Sequence, residues 1–335
     1  MPTDLFVSAF SWPEDSLARA VPPSCYRGVV AAPRPRRDGD TAVVDLPEWS
    51  PRRPAHRLVP SLSALGRDVP PFRFEVSVFA DGAWTPWVAG ATVGQARLPL
   101  ATGTTDALVA QIDEFVASRP AERVRMILRV DAGASAALAP PWFVSLSAWS
   151  PEPPGEASAG GSARLVVPAL SQMEEDAAIR SRICSPTCVA MVLAYYGARV
   201  AVADLALEIF HPGLDIYGVW PAAVRAAGRH GIAGYLLRFP DWSAAEWCLA
   251  EGMPIIASVR YAAGELTGAA VAETPGHLLV LTGNAGGDVF VNDPAAPTAS
   301  GVSRRYRLDE FRRVWLERAG VGYVLFRPPP RGAAP

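Results

Sequence analysis

A change of pattern near the middle of the chain constrains the fold most. The segment from Ser150 to Ala163 is rich in proline, glycine and serine and lacks apolar periodicity, which is typical of a linker between domains. A chain of 335 residues has the length of roughly two domains, at about 150 residues each. We therefore predict a first domain over 1–150, a linker over 151–163, a second domain over 164–328 and a flexible tail over 329–335.

The first half has the alternation of apolar and polar residues that is typical of half-buried β-strands. The alternation covers 72–78, 124–130 and 142–148. Asp81-Gly82 follows the first of these runs and predicts a hairpin turn. One stretch, from about Asp106 to Val116, has helical spacing and is predicted as a helix. The first half is thus predicted to be an antiparallel β-sandwich.

The second half mixes helices and strands. Apolar residues recur at helical spacing over Ser185–Tyr196, and Gly197 is a suitable residue to end that helix. Further helices are predicted over 202–210 and 221–228 and at Ser243-Ala-Ala-Glu246, which has the form of a capping box. Strands are predicted over 234–239, 255–261, 278–284, 288–292, 304–308 and 322–326. A helix is predicted over 309–318. This order predicts an α+β domain.

Cys184 stands at the N-terminus of the first strong helix of the second half, with Pro186 in its first turn. The unpaired amides and the dipole of a helix N-terminus favour a thiolate, and a neighbouring histidine lowers the pKa of such a cysteine further. Cys184 is therefore a candidate nucleophile. Its position alone is also compatible with a small buried side chain near a helix start.

His277 and Asp293 lie on two strands that one hairpin joins. His277 opens the strand that runs to Thr282, and Asp293 ends the strand that begins at Asp288. A turn at Asn284–Gly287 brings the two side chains to within about one position of each other. The pattern leaves open whether both project from the same face of the sheet, because the register is not fixed by the sequence.

These three residues together are the catalytic parts that a cysteine hydrolase needs: a cysteine at a helix start, a histidine at a strand start and an aspartate opposite that histidine. The imidazole deprotonates the thiol and protonates the leaving group, and the third residue fixes the tautomer of the imidazole.

Four segments then carry a resemblance to a family. They are Val167–Gln172, the run Cys184-Ser-Pro-Thr-Cys-Val-Ala-Met-Val-Leu-Ala-Tyr-Tyr-Gly197, the run Pro275-Gly-His-Leu-Leu-Val-Leu-Thr-Gly283, and Val291-Asn-Asp-Pro-Ala-Ala296. Together, over roughly 165–328, they resemble the bacterial cysteine peptidases related to the double-glycine leader peptidases of bacteriocin exporters, in particular stand-alone proteins with an N-terminal β-rich domain.

The resemblance implies a papain-like fold with Cys184 as the nucleophile, His277 as the base and Asp293 as the residue that orients it. It also implies that Gln172 donates to the oxyanion. The sequence departs from the family at Ile183, where tryptophan is common, and at Cys188, where a small hydroxyl residue is common. Because residues i and i+4 share a helix face, Cys188 could form a reversible disulfide with Cys184 or simply be a small core residue.

Composition excludes several other classes of function. The 31 basic residues, all arginine, are balanced by 33 acidic residues, so no excess of positive charge is available for nucleic acid or anionic lipid. Four cysteines in a chain of this length do not make a disulfide framework, and no run approaches the ~18 apolar residues of a membrane span. We expect a cytoplasmic protein that needs no cofactor or metal and acts on a peptide or small amide.

Three functions remain open at this point. The first is hydrolysis of peptide or amide bonds through an acyl-enzyme on Cys184. The second is acyl or peptidyl transfer, which uses the same catalytic residues and differs only in the group that attacks the thioester. The third is a peptide-binding module without catalysis, although relatives of that kind lose the cysteine or the histidine, which this chain retains.

Overall fold

The computed structural model describes residues 2–95, 98, 101–131, 138–151 and 161–328. Most of the predicted linker and the predicted tail at 329–335 lie outside these residues. Among the described residues, none of the helices is long and apolar enough to cross a membrane.

The first half of the chain forms two β-sheets. One has the strand order β2-β1-β12-β5-β10-β9, and the other has the order β3-β4-β11-β6-β7, with β8 also paired to β6. The pairs are antiparallel, apart from the parallel pair β1–β2. The elements are β1 (Thr3–Phe10), α1 (Glu14–Ala18), β2 (Tyr26–Ala31), β3 (Arg36–Asp38), β4 (Thr41–Asp45), β5 (Ala55–Ala64), β6 (Phe72–Ala80), β7 (Ala83–Trp84), β8 (Val88–Ala89), β9 (Leu108–Ala110), β10 (Phe115–Ala121), β11 (Arg123–Asp131) and β12 (Trp142–Trp149).

The predicted alternation is confirmed in three of these strands. The apolar residues that alternate along β6, β11 and β12 are buried in one core that the two sheets share. The predicted turn at Asp81-Gly82 is also confirmed, because β6 and β7 pair across it and both residues have a positive φ.

The helix predicted from Asp106 to Val116 is wrong. The chain there forms β9 and the start of β10, which pair with each other, and β10 also pairs with β5. Leu108 and Phe115 enter the shared core, whereas Ile112 is exposed in the turn between the strands. Pairing with strands distant in the sequence therefore overrides the local helical spacing.

The second half forms one antiparallel sheet with helices on both faces. Its strand order is β14-β19-β15-β16-β17-β18, with β13 also paired to β16. The elements are β13 (Ala163–Arg164), α2 (Cys184–Tyr195), α3 (Val202–Ile209), α4 (Trp220–Arg229), β14 (Ala233–Arg238), α5 (Trp242–Ala250), β15 (Ile255–Tyr261), β16 (Thr274–Ala285), β17 (Asp288–Asn292), β18 (Ser303–Arg307), α6 (Leu308–Trp315) and β19 (Val321–Phe326), with short 3₁₀ helices at Gln172–Glu174 and Ala299–Gly301.

Alternate residues of β16 are buried in two different cores. Leu278 and Val280 are buried in the cluster that contains α2, whereas Leu279 and Leu281 are buried in the cluster that contains α5 and α6. The helices and strands predicted for this half are confirmed. The predicted capping box is not, because Asp241 caps α5 by accepting the amide hydrogen of Ala244.

The two halves are joined by a row of serine hydroxyls. The edge strand β14 donates backbone N–H groups to Ser63, Ser61 and Ser147 over 3.1, 3.2 and 3.0 Å. These serines lie on β5 and β12 of the first half, so a sheet of the first half covers an edge of the second. At α4, a Cβ added to Gly228 would lie 2.2 Å from the carbonyl oxygen of Ala64. Only glycine permits this close approach of the halves.

Candidate active site

Helix α2 presents Cys184 at its first residue. The helix begins after Ile183, which occupies the N-cap position without a capping side chain and is buried in the core. Pro186 fits the first turn, where its missing amide hydrogen would have no partner. Ser185 and Thr187 are buried, whereas Cys184 is partly exposed. The fold therefore places one partly exposed cysteine at a helix N-terminus.

The register of the β16–β17 hairpin places His277 and Asp293 on the same face. Val280 pairs with Asn292 and Leu281 with Val291, so the continued register puts Asp293 opposite Leu279. His277 lies two residues from Leu279 along the strand, and a shift of two keeps a side chain on the same face of the sheet. The question that the sequence left open is thereby answered.

His277 lies between the other two side chains. Its Nε2 lies 2.8 Å from Asp293 Oδ1, and the imidazole interacts with the neighbouring Cys184. Because Nε2 contacts the carboxylate, Nδ1 is the ring nitrogen that remains for the sulfur. His277 is almost fully buried and Asp293 completely so. Water therefore has little access to the His277–Asp293 hydrogen bond.

The pKa values of the cysteine and the histidine move in opposite directions. Burial alone would raise the pKa of Cys184, but the hydrogen bond and charge of His277, with the amides of Leu278 and Ser185, hold it below its ordinary value. Burial alone would lower the pKa of His277, yet its bonds to Asp293 and Cys184 raise the pKa to about 10. Both shifts favour a thiolate next to an imidazolium.

Asp293 is held as an anion despite its burial. Burial would raise the pKa of the carboxyl, but His277, the amide of Ala295 and the hydroxyl of Tyr306 together keep the pKa below its usual value. The Ala295 amide donates to Oδ1 over 3.1 Å, and the Tyr306 hydroxyl donates to Oδ2 over 3.0 Å.

Gln172 lies between the Asp293 loop and the segment that leads to Cys184. Its backbone N–H donates to the carbonyl of Pro294 over 2.9 Å, and its side-chain Nε2 donates to the carbonyl of Arg180 over 2.7 Å. The side chain is buried. The amide group carries two hydrogens, so one N–H remains beyond the bond to Arg180.

Cys188 is directed to the strand rather than to the nucleophile. Its thiol donates to the carbonyl of Leu278 over 3.3 Å, and the residue is completely buried, which raises its pKa well above the ordinary value. Both Cys184 and Cys188 are free thiols. This arrangement favours the interpretation of Cys188 as a small core residue.

The other histidines lie elsewhere. His230 contacts Glu208 over 3.1 Å at the end of α4, and His211 accepts the amide hydrogen of Leu214 within a turn. Within the described ranges, no three His, Cys, Asp or Glu side chains are grouped so that they could hold a metal ion.

Sequence reasoning missed the contact of Tyr306 with the site. Tyr306 lies on β18, opposite Val289 of β17, and its hydroxyl crosses to the carboxylate that follows β17. A tyrosine in a strand is usual, and the pairing of β18 with β17 was needed to place it beside Asp293. The sequence predicts a strand over 304–308 but does not identify the strand with which it pairs.

Comparisons with known proteins agree with the resemblance expected from the motifs. Residues 164–323, slightly less than half of the chain, match the model of the Peptidase_C39 like family. This stretch contains Cys184, His277, Asp293 and Gln172. The expected resemblance to papain-like peptidases related to bacteriocin processing is confirmed for that part of the chain.

Three solved structures are each similar to about half of the chain. One is a double glycine motif protease from an AMS/PCAT transporter in complex with the leader peptide (22% identity, TM-score 0.34, 49% of this chain and 94% of that one). Another is a putative C39-like peptidase from Bacillus anthracis (17% identity, TM-score 0.39, 50% of this chain and 98% of that one). The third is the peptidase domain of Streptococcus ComA, a bi-functional ABC transporter (16% identity, TM-score 0.35, 48% of this chain and 98% of that one). No curated protein matches the chain.

Proposed function

We propose that this protein is a thiol-dependent hydrolase that cleaves peptide or amide bonds through an acyl-enzyme on Cys184. The observation that carries the proposal is the buried hydrogen bond between His277 and Asp293, with Cys184 next to the imidazole at a helix N-terminus. The opposite pKa shifts of the cysteine and the histidine support it, because an imidazolium beside a cysteine stabilises the thiolate, which is the nucleophilic form.

In the first half of the reaction, the Cys184 thiolate attacks the carbonyl carbon of the scissile bond. The carbonyl oxygen becomes an oxyanion, and the free N–H of Gln172 is our candidate donor to it. As the C–N bond breaks, His277 Nδ1 gives its proton to the leaving amine. A thioester on Cys184 and a neutral imidazole remain.

In the second half, water attacks the thioester. The neutral imidazole of His277 takes a proton from the water, the C–S bond breaks, and the thiolate and imidazolium form again. Asp293 keeps Nε2 protonated throughout, so that Nδ1 is the nitrogen that exchanges the proton.

A peptide is the substrate class that we favour. The family match over residues 164–323 supports it, and one solved protease that resembles this chain was crystallised with a leader peptide.

We also propose that residues 1–150 are a β-sandwich domain and 164–328 a papain-like catalytic domain, and that the protein acts in the cytoplasm.

A library of short peptides, analysed by mass spectrometry after incubation, tests the proposal. The wild type is expected to yield fragments that a Cys184→Ala variant does not produce. Hydroxylamine added to the reaction should capture acyl groups from the thioester as hydroxamates, and added amines should show whether transfer competes with hydrolysis. Equal product patterns for the wild type and Cys184→Ala would refute the proposal.

A further inference from the structure

Tyr306 contacts the oxygen of Asp293 that faces away from the histidine. The Tyr306 hydroxyl lies 3.0 Å from Asp293 Oδ2, and both residues are buried. Oδ1 already accepts hydrogen bonds from His277 and from the amide of Ala295. The carboxylate is therefore held at both oxygens, and Tyr306 holds the second one.

A fully buried carboxylate requires donors at both oxygens, because an ionised group without them is strongly disfavoured away from water. The bond from Tyr306 also removes a degree of freedom. Rotation of the Asp293 carboxylate about its last bond would break the bond to Tyr306 and the bond to His277 together.

We propose that Tyr306 is a positioning residue, whose hydroxyl fixes the Asp293 carboxylate and, through it, the orientation and tautomer of His277. The proposal rests on the proposed hydrolase function. It assigns Tyr306 no contact with substrate. Its effect on the reaction passes entirely through Asp293.

Two other polar side chains close to Tyr306 have partners of their own. The hydroxyl of Tyr261 donates to the carbonyl of Val271 over 3.4 Å, and the guanidinium of Arg304 donates to the carbonyl of Gly268 over 2.8 Å. Burial and then the charge of Asp293 raise the pKa of Tyr261, so Tyr261 lies near the carboxylate, but its hydroxyl donates elsewhere. This makes Tyr261 a matched control for Tyr306.

The test uses the full chain and p-nitrophenyl acetate as a probe, because its hydrolysis needs no knowledge of the natural substrate. The Cys184 thiolate attacks the ester carbonyl, p-nitrophenolate leaves, and water releases acetate from the thioester with His277 as the base. The turnover of this probe depends on a correctly held imidazole.

A double-mutant cycle separates positioning from a general structural effect. Tyr306→Phe is expected to lower kcat about tenfold with little change in KM, the size expected for one hydrogen bond to a charged group. Asp293→Asn is expected to lower kcat more. The double variant should equal Asp293→Asn alone, since Tyr306 has no route to the reaction without the carboxylate.

The pH profile gives a second readout. Without the hydroxyl bond, the pKa of Asp293 rises, so the acid limb of kcat/KM for Tyr306→Phe should lie at higher pH than that of the wild type. Tyr261→Phe should change neither kcat nor the acid limb, although it also removes a tyrosine hydroxyl near Asp293.

Any of three results would overturn the role of Tyr306. The first is that Tyr306→Phe keeps the wild-type kcat and an unshifted acid limb. The second is that the effects on kcat add in the double variant, and the third is that Tyr261→Phe loses as much kcat as Tyr306→Phe. Equal probe hydrolysis by the wild type and Cys184→Ala would instead refute the proposed function. The two failures are therefore distinguishable.

Discussion

Asp293 accepts a hydrogen bond from His277 across 2.8 Å, although sixteen residues separate the two in the chain and both are buried. The hairpin of β16 and β17 creates this relationship, because its register places the two side chains on one face, two positions apart. The loss of the negative charge of Asp293 is the most direct way to probe it.

Asp293→Asn should leave the fold intact and lower turnover. Without the carboxylate charge, the pKa of His277 should fall from about 10, so the thiolate–imidazolium pair should lose its proton at lower pH on the alkaline side. A titration of the His277 imidazole by nuclear magnetic resonance would measure this shift. An unchanged alkaline pKa in the variant would contradict the assigned role of Asp293.

Gln172→Ala should lower kcat by about 10²–10³, the usual loss for one oxyanion donor. The side chain lies between Arg180 and the Asp293 loop, so its removal could also affect local structure. Thermal unfolding of the variant controls for this. A decrease of kcat by less than about threefold in a variant as stable as the wild type would exclude Gln172 as the donor.

Gly228→Ala should destabilise the protein, although alanine is the better helix former by about 1 kcal/mol. The new Cβ would lie 2.2 Å from the carbonyl oxygen of Ala64, so the two halves would have to separate at α4. We expect a net loss of about 2 kcal/mol or more in the free energy of unfolding, measured with urea. Gly218→Ala is the matched control, because nothing lies within 4 Å of its added Cβ. Equal stabilities of the two variants would contradict the close contact.

Limited proteolysis should cut first in the linker, between 151 and 163. The nicked halves should nevertheless elute together on size exclusion, because the serine hydroxyls of β5 and β12 bind the edge of β14 and both large cores contain residues of both halves. First cleavage inside either half would contradict the linker prediction. Separate elution of the fragments would contradict the prediction that the contact between the halves holds them together.

Much of the site could be predicted because its parts are local in the sequence. The helix start at Cys184 and the hairpin that carries His277 and Asp293 depend on neighbours within about twenty residues. Tyr306 could not be placed, since its contact needs the pairing of β18 with β17. The same limit explains Asp106–Val116, where pairing with β5 overrides the helical spacing.

The central claim is that Cys184 is a thiolate activated by His277, and alkylation at pH 6 tests it most directly. Iodoacetamide followed by peptide mapping should modify Cys184 first, because Cys25, Cys188 and Cys248 are completely buried and their pKa values are raised. His277→Ala should slow the reaction of Cys184 at this pH by about tenfold or more, as the thiol regains a higher pKa. Faster modification of Cys25 or Cys248, or the same rate at Cys184 with and without His277, would contradict the claim.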